Sequence, residues 1–133
     1  MSCVIKTNPR PLVQETAIGF VERYMFGGKD VRPEDVAFLW FTEDAGGNGL
    51  AAWGRIVEVR IYPPRHLTLM FRVERIYAGD PIGKDDLSPY RHINDGSPIA
   101  ELAQKLYGQA HNKVAAISHQ ATDFLTARFT PHP

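Results

Sequence analysis

Side chains that could bind a ligand or exchange a proton lie at the ends of two apolar segments. Lys6 and Thr7 end the segment "SCVIKT", and Asn8 follows them. Thr42 and Glu43 follow the second segment, "VAFLWF". These residue types supply hydrogen-bond donors and acceptors for a base edge or a phosphate. If both segments are strands of one curled sheet, their ends meet at one rim. The default alternative is that they are ordinary polar groups at strand ends.

Two tryptophans, Trp40 and Trp53, flank the glycine-rich loop "EDAGGNG". Aromatic rings of this kind either fill a core or stack on a base. Strand parity places Trp40 on the same face as Phe38 and Thr42, whereas a bulge at Gly54 would change the face of Trp53. We therefore expect one tryptophan in the core and one at a pocket, and the sequence does not decide which is which.

Other catalytic and metal-binding patterns are absent or incomplete. "GDPIGKDD" fails as a phosphate loop because Gly79 and Gly83 enclose only three residues, and Asp85 stands where a serine or threonine is needed. The chain has no G-x-S-x-G motif, and its five histidines form no H-x-x-x-H pair. The single cysteine, Cys3, excludes a thiolate zinc site. We expect neither a metal nor a cofactor.

The composition is that of an ordinary globular domain. With 133 residues, 44% hydrophobic and 23% charged, the chain fits one domain over residues 1–133. It carries no signal-peptide pattern and no run long enough to cross a membrane, so we expect a cytoplasmic protein. The net charge of zero argues against binding nucleic acid by bulk electrostatics, although a local basic groove remains compatible with it.

Periodicity and breakers predict an α+β domain whose sheet curls into a small barrel. Apolar residues at three- and four-residue steps, stopped by Gly27 and Gly28, predict a helix over 12–25. Gly54 indicates a bulge of the kind that bends a sheet. Residues 78–96 are expected to form a long polar loop. The other predicted elements are strands over 2–7, 36–41, 50–62, 66–77 and 113–117, and helices over 97–107 and 118–129.

The central part of the chain resembles PUA-like domains, especially the EVE, ASCH and YTH group. "VRPEDVAFLWFTEDAGGNGLAAWGRIVEV" is similar to their central hairpin: an acidic turn, an apolar strand ending in an aromatic and a small polar residue, a glycine-bearing loop, and a strand with an early glycine. "HLTLMFRVERIY" is similar to the next barrel strand, and "AISHQATDFLTARF" to the closing strand and helix of the EVE type. Where EVE domains carry an aromatic-His-Ser, this chain has Phe41-Thr42-Glu43.

The resemblance implies a PUA-like barrel of five to six mostly antiparallel strands with flanking helices. It also implies a non-enzymatic module that binds RNA or DNA and takes a modified or flipped base into a pocket. The expected ligand-binding residues are Trp40, Trp53, Lys6, Thr7, Asn8, Thr42 and Glu43. The residues expected to contact the nucleic-acid backbone are Arg10, Arg55, Arg65 and Arg91.

Two alternatives stay open at this point. The first is an ASCH-like amidohydrolase that acts on a modified nucleoside, with Lys6 as the activated amine and Glu43 or Glu74 as its acid-base partner. It requires Lys6 within hydrogen-bond reach of a carboxylate in a cleft. The second is a barrel that binds a small molecule or a protein, for which an entirely apolar mouth is expected. The ligand and the oligomeric state are not determined by the sequence.

Overall fold

The structure is a computed structural model that describes residues 2–22, 25–26, 31–62, 66–108 and 113–129. Its strands are β1 Ser2–Thr7, β2 Ala17–Glu22, β3 Met25–Phe26, β4 Val36–Phe41, β5 Gly49–Tyr62, β6 His66–Ile76 and β7 Lys113–Ile117. Its α-helices are α1 Lys84–Leu87, α2 Pro98–Tyr107 and α3 His119–Thr126. None of these helices is long and apolar enough to span a membrane.

All seven described strands belong to one mixed sheet, in the spatial order β2-β6-β5-β4-β1-β7-β3. Neighbouring strands pair antiparallel, except that β1 runs parallel to β4 and β3 runs parallel to β7. The predicted α+β class and the mostly antiparallel sheet are therefore confirmed.

The two edge strands show that the sheet is curled. β2 and β3 lie at opposite edges, yet β2 ends at residue 22 and β3 begins at residue 25. Three residue steps span at most about 11 Å, so the two edges must come within that distance of each other. A flat sheet of seven strands would separate its edges by roughly 29 Å, at about 4.8 Å per strand spacing. The chain connection therefore requires the curled sheet that the sequence predicted.

The helix predicted over 12–25 is wrong, and this segment supplies the additional strands. The chain turns before β2, where Glu15 has a φ of 66° and donates its backbone N–H to the carbonyl of Val73 at 2.7 Å. β2 then pairs antiparallel with β6 from Ala17 to Glu22. Without this partner the edge of β6 would expose unpaired backbone groups. That tertiary pairing outweighs a helical pattern already weakened by Gly19. The stop signal at Gly27 and Gly28 lies outside the described residues.

Strand parity divides the core into two layers. Because β1 and β4 are parallel and in register, Val4 pairs with Phe38 and Lys6 pairs with Trp40, and the even-numbered residues share the face covered by α2 and α3. The odd-numbered residues of β1 and β4 face the inside of the curl, where residues of the other strands join them. This inner cluster contains Cys3, Ile5, Val31, Ala37, Leu39, Ala52, Ile56, Leu69, Phe71, Val73 and Val114.

The register between β5 and β6 shifts at Gly54, as the sequence predicted. The shift lies between Trp53 and Gly54, and a second one lies between Ile56 and Glu58. A Cβ atom on Gly54 would overlap the carbonyl oxygen of Arg72 on β6 and lie 2.9 Å from the ring of Phe71. Glycine is therefore required for the two strands to approach closely at this bend.

Serine N-caps position the two longer helices against the sheet. Ser97 Oγ accepts from the N–H of Ala100, and Ser118 Oγ accepts from the N–H of Ala121. Glu101 on α2 ties the helices together, because its carboxylate accepts from both the N–H and the hydroxyl of Ser118. The predicted polar loop over 78–96 contains α1 and a 3-10 turn over Ser88–Tyr90.

Candidate nucleic-acid site

The parallel pairing of β1 and β4 brings their polar ends together. Thr7 pairs with Phe41, and the N–H of Thr42 donates to the carbonyl of Thr7 at 2.9 Å. The carboxyl ends of parallel strands lie at one edge of a sheet, so Lys6 and Glu43 reach the same opening from two strands.

A cavity of 360 Å³ opens at this point, between the ends of β1 and β4, helix α1, the turn before residue 91 and the end of α2. We call it the strand-end cavity. Its volume is at the small end of the range for ligand sites, which suits a single ring system better than a large ligand. It is lined by Lys6, Thr42, Glu43, Asp44, Lys84, Ser88, Arg91, Tyr107 and Gly108.

A chain of hydrogen bonds runs from the core into this cavity. Trp40 Nε1 donates to the hydroxyl of Tyr107 at 2.7 Å, and that hydroxyl lies 2.9 Å from both carboxylate oxygens of Glu43. Glu43 Oε2 also accepts from the backbone N–H of Lys84 at 2.8 Å. An indole N–H only donates, so the single proton of Tyr107 must point to Glu43. Burial raises the pKa of the Tyr107 hydroxyl and the nearby Glu43 carboxylate raises it further, so this proton is retained.

Lys6 is buried beside these hydrogen-bonded groups. Its ammonium donates to the carbonyl of Leu106 and lies 4.7 Å from the centroid of the Tyr107 ring, which places the cation over an aromatic face. Burial lowers the pKa of Lys6, and the carboxylates of Glu43 and Asp44 oppose that shift in part. The α2 end thus holds a cation close to the aromatic wall of the cavity.

A second buried lysine lies directly across from the first. Lys113 on β7 pairs with Lys6 on β1, and both are less than 5% exposed. Burial, together with the charge of Lys6, lowers the pKa of Lys113 to about 8. Two buried lysines on neighbouring strands thus lie at this end of the sheet, where the carboxylates of Glu43 and Asp44 also line the cavity.

Four of the residues predicted for the site meet at the strand-end cavity: Lys6, Thr42, Glu43 and Arg91. Arg91 is exposed, and its guanidinium donates to the carbonyl and the hydroxyl of Ser88. Thr7, in contrast, has the opposite parity to Lys6 and is buried on the inner side of the curl. Asn8 is exposed and belongs to none of the described cavities.

The two tryptophans are now distinguished, and neither lines the strand-end cavity. Trp40 is fully buried and packs edge-on against the Tyr107 ring, so it supports the cavity from behind. Trp53 is half-buried and packs edge-on against Phe129, after α3. Among the residues that line this cavity, the aromatic one is Tyr107, whose half-buried ring has the Lys6 ammonium over it.

The remaining predicted residues lie elsewhere. Arg55 pairs with Val36 at the start of β4, whereas Thr42 follows its end, so roughly 20 Å of strand separates them. Glu74 lies on β6, forms an ion pair with Arg72 at 3.3 Å and lines none of the described cavities. Arg65 lies outside the described residues.

Arg10 lines a second, larger cavity of 670 Å³ near the mouth of the curl. Its guanidinium donates to the carbonyl of Gly19 at 3.0 Å. Apolar walls come from Leu12, Phe41 and Ile76, and the glycine-rich loop over 46–49 forms one side. Because Arg10 and Asn48 also line it, the cavity is not entirely apolar.

Five residues that line the strand-end cavity were not among the predicted site residues: Asp44, Lys84, Ser88, Tyr107 and Gly108. Tyr107 lies four residues after Ala103, at the border of the apolar stripe of α2, and a hydroxyl-bearing aromatic there was the available signal. From the sequence, Lys84 was expected only to lie in the long polar loop over 78–96. Only the contact between its N–H and Glu43 assigns it to the site. Among the described residues, no group of three or more potential metal ligands is present.

Comparison with solved structures shows the same fold in two cases. The crystal structure of human THYN1 protein in complex with 5-methylcytosine-containing DNA superposes with a TM-score of 0.64 at 12% identity, covering 98% of this chain and 99% of that chain. The crystal structure of the DUF55 domain of human thymocyte nuclear protein 1 gives a TM-score of 0.62 at 12% identity, over 98% of this chain and 100% of that chain. No protein-family model matches the sequence. No curated protein matches it either. The PUA-like fold expected from the sequence is thereby confirmed, as a fold.

Proposed function

We propose that this chain is a non-enzymatic nucleic-acid-binding module that takes one base, modified or flipped out of the helix, into the strand-end cavity. The observation that carries the proposal is the convergence of a cation, a carboxylate and an aromatic ring, from Lys6, Glu43 and Tyr107, in one small cavity. Base readers need a stacking face and a few polar groups at the base edge.

The charges around the cavity support a nucleic-acid ligand despite the neutral chain. Lys84 and Arg91 are exposed at its rim, and Lys6 is buried within it. Phosphates are neutralised locally, so a cluster of cations at one opening can bind a backbone without a net positive charge. A solved structure of the same fold is a complex with DNA that contains 5-methylcytosine, which makes modified DNA the first ligand to test.

The decisive experiment is fluorescence anisotropy with matched labelled oligonucleotides. Single- and double-stranded DNA, each with cytosine or 5-methylcytosine at one position, and the equivalent RNA are titrated at two salt concentrations. We expect binding that weakens with salt and that depends on the state of the one varied base. Glu58→Gln, which changes an exposed carboxylate on β5 outside the strand-end cavity, is the matched control for the Glu43→Gln variant described below. Absence of binding to every oligonucleotide at low salt contradicts the proposal.

A second candidate, the ASCH-like amidohydrolase, is favoured by one observation. Lys6 has a lowered pKa and shares its cavity with Glu43, as an activated amine and its partner require. Its geometry is incomplete, because no ion pair within 4.0 Å joins Lys6 to a carboxylate among the described residues. Incubation with N-acylated nucleosides, followed by chromatography of the products, tests it. Release of the acyl group that is lost in Lys6→Met would favour the enzyme.

A further inference from the structure

We infer that the strand-end cavity holds an unpaired base by its Watson–Crick edge, with Glu43 accepting from an N–H of the base and Lys6 donating to the neighbouring ring nitrogen or carbonyl. This inference rests on the proposed function, because it names the chemical group that the same cavity recognises. It assigns opposite and fixed hydrogen-bonding roles to the two charged side chains.

The role of Glu43 follows from the direction of the hydrogen bonds that reach it. The hydrogen-bonded row runs from Trp40 through Tyr107 and Glu43 to the backbone of Lys84. The groups at its two ends, the indole N–H of Trp40 and the backbone N–H of Lys84, can only donate. If Glu43 donated to Tyr107 instead, the Tyr107 hydroxyl would accept from both Trp40 and Glu43. Its own proton would then have no acceptor among these hydrogen-bonded groups. Glu43 is therefore held as an acceptor from both sides.

Glu43 keeps capacity for a ligand after these contacts are made. A carboxylate offers about four acceptor positions, and the hydroxyl of Tyr107, which lies 2.9 Å from both oxygens, and the N–H of Lys84 use up to three of them. The remaining positions suit amino or imino hydrogens and repel carbonyl oxygens. The cavity thus presents a preorganised acceptor whose orientation the ligand does not have to establish.

Lys6 acts as the hydrogen-bond donor that complements the acceptor Glu43. An ammonium group has three donor hydrogens and no acceptor, and one hydrogen is used by the carbonyl of Leu106. The Tyr107 ring fixes the position of the cation beside the hydroxyl that binds Glu43. An acceptor and a donor that line the same small cavity match the Watson–Crick edge, where an N–H lies next to a ring nitrogen or carbonyl. In a duplex the partner base occupies this edge, so the base must be flipped out or single-stranded.

The test uses single-stranded probes that carry one base between abasic sites. The central base is cytosine in one probe and N4,N4-dimethylcytosine, which has lost both amino hydrogens, in the other. We expect the dimethylated probe to bind at least about tenfold more weakly at constant salt. Glu43→Gln, whose amide can both donate and accept, should reduce this preference to below about threefold. Equal binding of both probes, or a preference that Glu43→Gln leaves unchanged, overturns the inference.

A wild-type comparison makes the test independent of whether the variant folds. Cytosine in a duplex should bind more weakly opposite guanine than opposite an abasic site, because pairing hides its edge. Equal affinity for the two duplexes also overturns the inference, while salt-dependent binding to both leaves the proposed function standing. Absence of binding to all probes and to ordinary oligonucleotides overturns both.

Discussion

Trp40 on β4 and Tyr107 at the end of α2, 67 residues apart in the chain, are joined by a 2.7 Å hydrogen bond from the indole N–H to the phenol oxygen. Tyr107→Phe removes the acceptor of a fully buried donor. An unsatisfied buried donor costs about 1–3 kcal/mol, so we expect a loss of this size in the free energy of unfolding, measured by urea denaturation. Tyr90→Phe, at an exposed tyrosine, should change it by less than about 0.5 kcal/mol. Equal effects of the two substitutions would contradict the importance of this bond.

Lys113 makes the stability of the domain depend on pH in the alkaline range. Its pKa is lowered from 10.5 to about 8 in the folded state, so the folded chain binds this proton less tightly than the unfolded chain. The destabilisation is complete below pH 8 and is relieved as the pH rises from about 8 to 10.5. We expect a gain on the order of 1–2 kcal/mol across this window, after allowance for solvent screening.

Denaturation of Lys113→Met at several pH values measures this contribution. The substitution keeps a long apolar side chain and removes the charge, so the rise in stability between pH 8 and 10.5 should become smaller than in the parent. Lys84→Met, at an exposed lysine, provides the control and should keep the parent slope. An unchanged slope in Lys113→Met would show that this lysine is not the titrating group.

Glu101 should make the stability depend on pH in the acid range, and here the charged form of the side chain is the stabilising one. Burial alone would raise the pKa of Glu101, but the hydrogen bonds from Ser118 and the ion pair with Lys105 lower it below 4.5. The stabilisation is present above this value and is lost as the pH falls through it and below. Glu101→Gln should therefore cost about 1–2 kcal/mol at pH 7 and much less near pH 3. Thermal unfolding at both pH values, with Glu58→Gln as the exposed control, checks the difference.

Gly54 is expected to tolerate no side chain. Gly54→Ala places a methyl group against the carbonyl of Arg72 and the ring of Phe71, both on β6, so the strands must separate at the bulge. We expect a loss of about 3 kcal/mol or more in unfolding free energy. Gly46→Ala is the informative comparison, because Gly46 has a φ of 92° but open space around it. Its cost should be only about 1 kcal/mol, from backbone strain. Similar losses in both variants would exclude close packing as the cause.

Arg91 and Arg55 form a matched pair for testing where the nucleic acid lies. Arg91 is at the rim of the strand-end cavity, and Arg55 lies near the opposite end of β4. Arg91→Gln should weaken binding and reduce the slope of log affinity against log salt by about 0.7–0.9, the value of one phosphate contact. Arg55→Gln should leave both unchanged. A reduced slope in Arg55→Gln, with none in Arg91→Gln, would place the nucleic acid on the other end of the sheet.

Local patterns in the sequence were sufficient for most of the secondary structure. The strands β4, β5 and β6 and the helices α2 and α3 depend on patterns a few residues long, and all were predicted. The bulge at Gly54 was also visible, because glycine inside a strand has few other uses. The segment over 12–25 could not be assigned in this way, since its strands exist through pairing with β6 and β7, which lie far away in the chain.

The polar ends of β1 and β4 were predicted from the sequence, since Lys6, Thr42 and Glu43 lie at the ends of apolar segments whose pattern indicates strands. Their meeting in one cavity was decided by the tertiary structure, because it depends on the parallel pairing of strands about 30 residues apart. The roles of the tryptophans were decided there as well. Whether an aromatic ring fills a core or faces a ligand depends on what covers it. Helix α2 covers Trp40, and Tyr107 at the end of α2 is the aromatic residue that lines the cavity.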